Sequence, residues 1–262
     1  MIGLFDSGIG GLTVVRALQR LMPEVSLIYF GDTARTPYGN KSPQVVEQYG
    51  LEAARFLIDK GATALVVACN TVSAVGVEAI KKAWPQVPVF EVISPVADKI
   101  TSDRFKKVGI MGTRATINSQ AYQKRLAGSG IKVIAQSAPL LVPLVEENYI
   151  NKPVTKRVIK SYLSSFKQAQ VEVLVLACTH YPLLKKIIRS RLPKKIKIFD
   201  PADETAKVVA AWFKNNPQEA IRINGSRSHY YVSDLTPHFQ KVAEQWLGQK
   251  INLEKVDILS GV

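Results

Sequence analysis

Short apolar runs alternate with amphipathic stretches from the start of the chain. Residues 2–5, 26–30 and 64–68 are short, mainly apolar runs that include β-branched side chains, while 12–22 and 43–60 place their apolar residues at helical spacing. That rhythm predicts βα crossovers and a mainly parallel sheet. The second helix is well punctuated: Ser42 can cap it, Pro43 suits its first turn and Gly61 follows its end. Further helices are predicted at 72–83 and 182–189. Beyond Asp200 the pattern reads helix, a strand at 229–232, a helix at 237–247 and a last strand near 251–258.

The pattern also repeats. Ala64-Leu65-Val66-Val67-Ala68-Cys69-Asn70-Thr71 resembles Val173-Leu174-Val175-Leu176-Ala177-Cys178-Thr179-His180 at a constant offset of 109. A weaker echo pairs Ile2-Gly3-Leu4-Phe5-Asp6-Ser7 with Val108-Gly109-Ile110-Met111-Gly112-Thr113 at an offset of 106. One small loop insertion reconciles the two offsets. Chance recurrence of apolar strands is the competing explanation, since such strands draw on a small alphabet. The reading adopted is two similar parallel-sheet α/β domains related by pseudo-symmetry, joined between 90 and 105 near Ser94-Pro95.

Composition narrows the classes. At 262 residues the chain is long enough for two compact units, and 47% hydrophobic with 21% charged residues fits an ordered globular protein. No apolar run approaches the roughly 18 to 20 residues that cross a bilayer, and Asp6 interrupts the apolar start too soon for a signal peptide, so a cytoplasmic location is expected and no membrane partner. Two cysteines more than a hundred residues apart form neither a disulfide framework nor a CxxC pair, and are read as reduced. The net charge of +14 attracts anions in general. Residues such as Lys185, Lys186, Arg189, Arg191, Lys194, Lys195 and Lys197 fit a solvated helix face or a nucleic-acid surface.

Candidate chemistry lies where strands end. Asp6-Ser7-Gly8-Ile9-Gly10-Gly11 follows the first strand, where glycines let the backbone turn and expose helix N-terminal amides to an anion; a generic tight turn is the bland alternative. A dinucleotide fingerprint fails at Thr13, and no Walker lysine follows. The loop from Gly31 to Gly39 offers the hydroxyl of Tyr38 and the bare amide of Gly39. Cys69 and Cys178 each follow an apolar strand and precede a helical stretch, which sets both sulfurs beside helix N-termini that favour a thiolate. Either cysteine alone reads as a small core hydrophobe. As a pair in duplicated halves they supply what inversion of a stereocentre needs: a base on one face of a carbon and a proton donor on the other. Asp6, His180 and Glu146 are candidates to assist the proton transfers. A metal site at Cys178 and His180 lacks further ligands, because His229 and His238 come late; a cysteine hydrolase using Cys178 leaves Cys69 unexplained.

These segments, with Leu176-Ala177-Cys178-Thr179-His180-Tyr181-Pro182, Gly112-Thr113, 141–146 and 200–206, resemble the glutamate racemases of bacteria, in order from residue 2 to about 210. The resemblance implies interconversion of L- and D-glutamate for peptidoglycan, without pyridoxal phosphate, metal or other cofactor, in a cleft between two domains. It implies Cys69 and Cys178 on opposite faces of the substrate, with Asp6, Ser7, Tyr38, Gly39, Asn70, Thr71, Thr179 and His180 holding it. Asp6 and His180 also tune the thiols, and Glu146 is a further helper. It implies residues 1–94 with 206–262 as one domain, 95–205 as the other, and a homodimer. An aspartate racemase of the same superfamily is the near alternative. Where relatives often carry a further cysteine, Ala138 stands here. The charge is unexplained by the resemblance and leaves open a DNA or gyrase interaction, or a DNA-associated protein on a racemase scaffold.

Overall fold

In the computed structural model, which describes residues 1–221, 223 and 227–258, the fold is α/β with two parallel sheets. Ten strands form them: β1 Ile2–Asp6, β2 Leu27–Gly31, β3 Ala64–Val67, β4 Val89–Glu91, β5 Lys107–Gly112, β6 Lys132–Ser137, β7 Val173–Ala177, β8 Lys197–Phe199, β9 His229–Val232 and β10 Leu253–Lys255. The first sheet runs β10-β9-β2-β1-β3-β4 and the second β6-β5-β7-β8. β1, β2, β3 and β7 are buried along their whole length, as strands covered by helices on both faces must be.

The repeat in the sequence is a repeat in the sheets. The order β2-β1-β3-β4 recurs as β6-β5-β7-β8. Phe5 stands opposite Val67 and Phe30, and at the two sequence offsets Met111 stands opposite Leu176 and Gln136. The offset changes from 106 to 109 between β6 and β7, so the three extra residues fall in the segment that carries Glu146.

Two helices cross between the sheets, Ser94–Ser102 outward and Pro201–Asn215 on the return, and they pack on one another. Each starts on a carboxylate at the end of its sheet's fourth strand. Glu91 accepts from the amides of Ile93 and Ser94 at 2.6 and 2.7 Å, and Asp200 accepts from Ala202 at 3.0 Å. Carboxylates there satisfy amides that a helix start leaves without partners. One apolar cluster runs through both halves, from Leu4 and Leu12 to Met111 and Leu176 and on to Val242 and Trp246.

Several boundaries differ from expectation. The helix expected at 72–83 begins at Asn70 and breaks at Gly76 into Asn70–Val75 and Val77–Ala83. The helix expected at 182–189 is a 3-10 turn, Tyr181–Leu184, leading into Lys185–Arg191. The last strand covers only Leu253–Lys255 rather than 251–258, since it pairs with β9 alone at the sheet edge. The helix Pro43–Asp59 matches its punctuation: Ser42 Oγ accepts from Val45 N, and Gly61 takes φ +91°.

Candidate active site

The strands deliver the polar residues to one place. Asp6 ends β1, Cys178 directly follows β7, Thr113 follows β5, and Cys69 caps the helix Asn70–Val75 after β3. All are at carboxyl ends of parallel strands, where loops can line a crevice. Both cysteines are buried, at 4% and 6% exposure, yet both line a single narrow cavity together with Ser7, Tyr38, Asn70 and His180. Gly39, Thr71 and Thr179 line it too. Its volume open to water is about 20 Å³, on the order of one or two molecules.

A chain of contacts runs behind the two sulfurs. Asp6 is fully buried, and its Oδ2 accepts from the amides of Gly8 at 3.3 Å and Gly11 at 3.0 Å. Thr179 Oγ1 donates to the same carboxylate at 3.3 Å. His180 Nδ1 is 3.9 Å from Cys178 Sγ, and its Nε2 is 3.1 Å from Glu146 Oε1. Burial alone would lower the His180 pKa; the hydrogen bonds and charges of Cys178 and Glu146 outweigh it and raise it to about 10. An imidazolium therefore adjoins the Cys178 sulfur at neutral pH, where it attracts negative charge. Burial pushes the Asp6 carboxyl up, opposed by the charge of His180 and the bonds from Gly11, Thr179 and Gly8.

Cys69 is in the opposite condition. Burial, reinforced by the charge of Asp6, pushes its thiol up to about 12 despite hydrogen bonds from Val72 and Ser7. The expectation that a helix N-terminus favours a thiolate here is corrected: the helix has only six residues, and desolvation of the sulfur exceeds its effect. Cys69 holds its proton at neutral pH, while the other cysteine on the cavity lies beside a cation.

Other expectations also need revision. Tyr38 lines the cavity, and its hydroxyl donates to the buried carboxylate of Asp32, which also accepts from Arg35 and Ser233, so the hydroxyl's own proton is already committed. Gly8, Gly10 and Gly11 have ordinary negative φ, so their value is space and not a special turn. A Cβ at Gly10 would collide with Thr179 Oγ1 and stand 2.7 Å from His180 Nδ1. The anion held by the loop's amides is the chain's own Asp6.

Thr36, Thr113 and Val142, which no local pattern singles out for a role, also line the cavity. Thr113 lay within the Gly112-Thr113 resemblance, and its Oγ1 is 3.0 Å from that of Thr71 across the cleft. The tail, whose packing its own sequence does not reveal, reaches the site as well. The helix Pro237–Leu247 sets Trp246 edge-on to His180 with ring centroids 5.6 Å apart, and His238 Nε2 contacts the Glu146 carbonyl at 2.6 Å. Among the described residues no three His, Cys, Asp or Glu side chains gather as a metal ligand set, and no helix is long and apolar enough to cross a membrane.

Comparison with known proteins agrees with this arrangement. Residues 12–209 match the family described as Asp/Glu/Hydantoin racemase. The glutamate racemase of Geobacter metallireducens is 42% identical over 253 residues, 95% of this chain and 93% of that one. That of Aquifex aeolicus is 41% identical over 251 residues, 95% of each. The crystal structure of the Francisella tularensis glutamate racemase in complex with D-glutamate superposes with a TM-score of 0.91 at 34% identity, covering 99% of this chain and 98% of that one. A duplicated parallel-sheet fold, two cysteines on one cavity and relatives matching nearly end to end lead to one conclusion: the chain belongs to the Asp/Glu/Hydantoin racemase family, alongside the glutamate racemases, and is an amino-acid racemase.

Proposed function

We propose that the chain interconverts L- and D-glutamate by two-base proton transfer between Cys69 and Cys178, without a cofactor, and that it supplies D-glutamate for peptidoglycan. The observation that carries this reading is that two sulfurs from equivalent positions of duplicated halves line one narrow cavity. In one direction the Cys178 thiolate, beside the His180 imidazolium, takes the proton from the α-carbon, and its electron pair delocalises into the adjacent carboxylate. The Cys69 thiol then delivers its proton to the opposite face. The products are the other enantiomer, a Cys178 thiol and a Cys69 thiolate, and the reverse direction exchanges the roles. Glu146 holds His180 charged, while Asp6 sets Thr179 and the glycine loop. The residues on the cavity wall, Ser7, Tyr38, Gly39, Asn70, Thr71, Thr179 and His180, bind the substrate.

The domain division that goes with this reading is 1–94 with 206–262, and 95–205; residues 222, 224–226 and 259–262 of the first lie outside those described. A cytoplasmic homodimer belongs to the same reading, and sedimentation at several concentrations tests the dimer. Incubating each enantiomer in heavy water tests the chemistry. Solvent deuterium should enter the inverted product, with little in recovered substrate at early times. Cys69→Ala and Cys178→Ala should each lower turnover by at least about 100-fold. Near-normal turnover in either variant, or faster racemisation of aspartate than of glutamate, refutes the assignment.

A second, auxiliary reading rests on charge. Between 149 and 199 there are twelve Lys and Arg against one acidic residue, Glu172, and the helices Pro153–Tyr162 and Lys185–Arg191 that carry many of them are neighbours. Lys156, Arg157, Lys160 and Lys186 are exposed. This surface suits DNA, and contact with gyrase on DNA would use it too. Affinity for a DNA fragment should fall steeply as salt rises; weak salt dependence, or no binding, removes this reading.

A further inference from the structure

Ser7, Thr36, Thr71, Thr113 and Thr179 line the cavity, and among the described residues no lysine or arginine does. A dicarboxylate held there must be met largely by neutral donors, so what each hydroxyl is already bonded to decides what it can offer. Ser7 bonds to Cys69. Thr71 and Thr113 bond to each other at 3.0 Å, and Thr179 donates to Asp6. Thr36 is different: its Oγ1 is buried and has no hydrogen-bond partner among the described residues.

The neighbours of Thr36 hold it in place. Arg35 is tied to Asp32 and Glu52, and Tyr38 to Asp32, so the loop is anchored on both sides of this residue. Thr36 Oγ1 stands 3.3 Å from where a side chain at Gly8 would begin, and Glu146 Oε1 stands 3.8 Å from the same point, so the bare glycine keeps a gap between them. A buried hydroxyl without a partner costs stability, whereas valine has nearly the same shape and no such cost. A ligand oxygen bonded to the hydroxyl would offset that cost.

We propose that Thr36 is a specificity-determining residue whose hydroxyl donates a hydrogen bond to a carboxylate oxygen of the bound amino acid. This rests on the amino-acid substrate proposed above, with the cavity as its site. Thr36→Val removes the hydroxyl at nearly constant shape, and Thr36→Ser restores it. KM for D-glutamate should rise about 10- to 100-fold in the valine variant with kcat within about threefold, and should return toward wild type in the serine variant. Its melting temperature should stay level or rise, which a merely structural role would not produce.

Calorimetric binding of D-glutamate keeps the two readings separate. Wild-type binding without racemisation refutes the chemistry yet still allows the valine variant to report on Thr36. D-norvaline, which has the same carbon chain but one carboxylate, identifies the acceptor. A loss for both ligands marks the α-carboxylate, and a loss confined to glutamate marks the side-chain carboxylate. Equal glutamate affinity in wild type and Thr36→Val overturns the proposal, as does failure of wild type to bind glutamate.

Discussion

His180 concentrates much of what makes this site unusual. It is buried, yet Cys178 and Glu146 raise its pKa to about 10, above the ordinary value of 6.5. A base that holds its proton more tightly in the folded chain stabilises it below the unfolded pKa and loses that contribution as pH rises through the folded one. Stability should therefore decline between about pH 6.5 and 10 by a component absent from His180→Asn. Melting temperature against pH for both proteins checks this; parallel curves through that window would show that the imidazole is not held charged. Gly10 makes a second prediction at the same scale. A methyl group there meets Thr179 and His180, so Gly10→Ala should lower turnover by at least about tenfold through displacement of His180, because the obstructing atoms belong to the site itself. Unchanged kcat would mean the loop yields freely.

Among the elements, the helix Pro237–Leu247 is the one whose importance was hidden. Thr236 caps it, Pro237 opens it and Gly248 closes it in a left-handed conformation, so its limits were readable. Its target was not. Trp246 is 5% exposed and packs on His180, so Trp246→Ala should cost about 3 to 5 kcal/mol of stability and lower activity beyond the loss of folded protein. Denaturant unfolding with turnover per folded molecule measures both; normal turnover would show the indole to be packing only. The strands that lead into the cysteines are legible because wholly buried parallel strands spell themselves out in apolar residues rich in valine. The helix after Cys69 begins two residues earlier than the pattern predicts and breaks at Gly76, since nothing local distinguishes Asn70 as a first turn from a loop residue. The Gly76 break became clear only from packing: a side chain there would stand 3.2 Å from the Glu47 backbone.

At the scale of the molecule, two copies of one strand order face each other and are tied by two crossing helices. The cavity between them offers water only about 20 Å³, so side chains, loops or the halves themselves must shift for an amino acid to enter. An exposed hydrogen bond from Arg114 Nη1 to Asn40 Oδ1, 3.2 Å long, connects the two halves. Arg114→Ala should leave stability within about 0.5 kcal/mol and speed ligand release severalfold, as stopped-flow dissociation of D-glutamate would report. An unchanged rate would mean that this contact does not restrain opening.

The sequence alone determined the α/β class, the duplication and the placing of each cysteine at a strand end, because hydrophobic period, turn residues and repeated offsets are local and survive without knowledge of contacts. The tertiary structure decided which groups meet. It turned the Tyr38 hydroxyl to Asp32, bonded Asp6 to the amides of Gly8 and Gly11, brought Trp246 to His180 from the far end of the chain and left the Thr36 hydroxyl without a hydrogen-bond partner among the described residues. It also made the two thiols unequal, one desolvated and one beside a cation. Such differences arise from burial and from neighbours distant in sequence, which two matching strings of residues, Ala-Cys-Asn-Thr and Ala-Cys-Thr-His, do not encode.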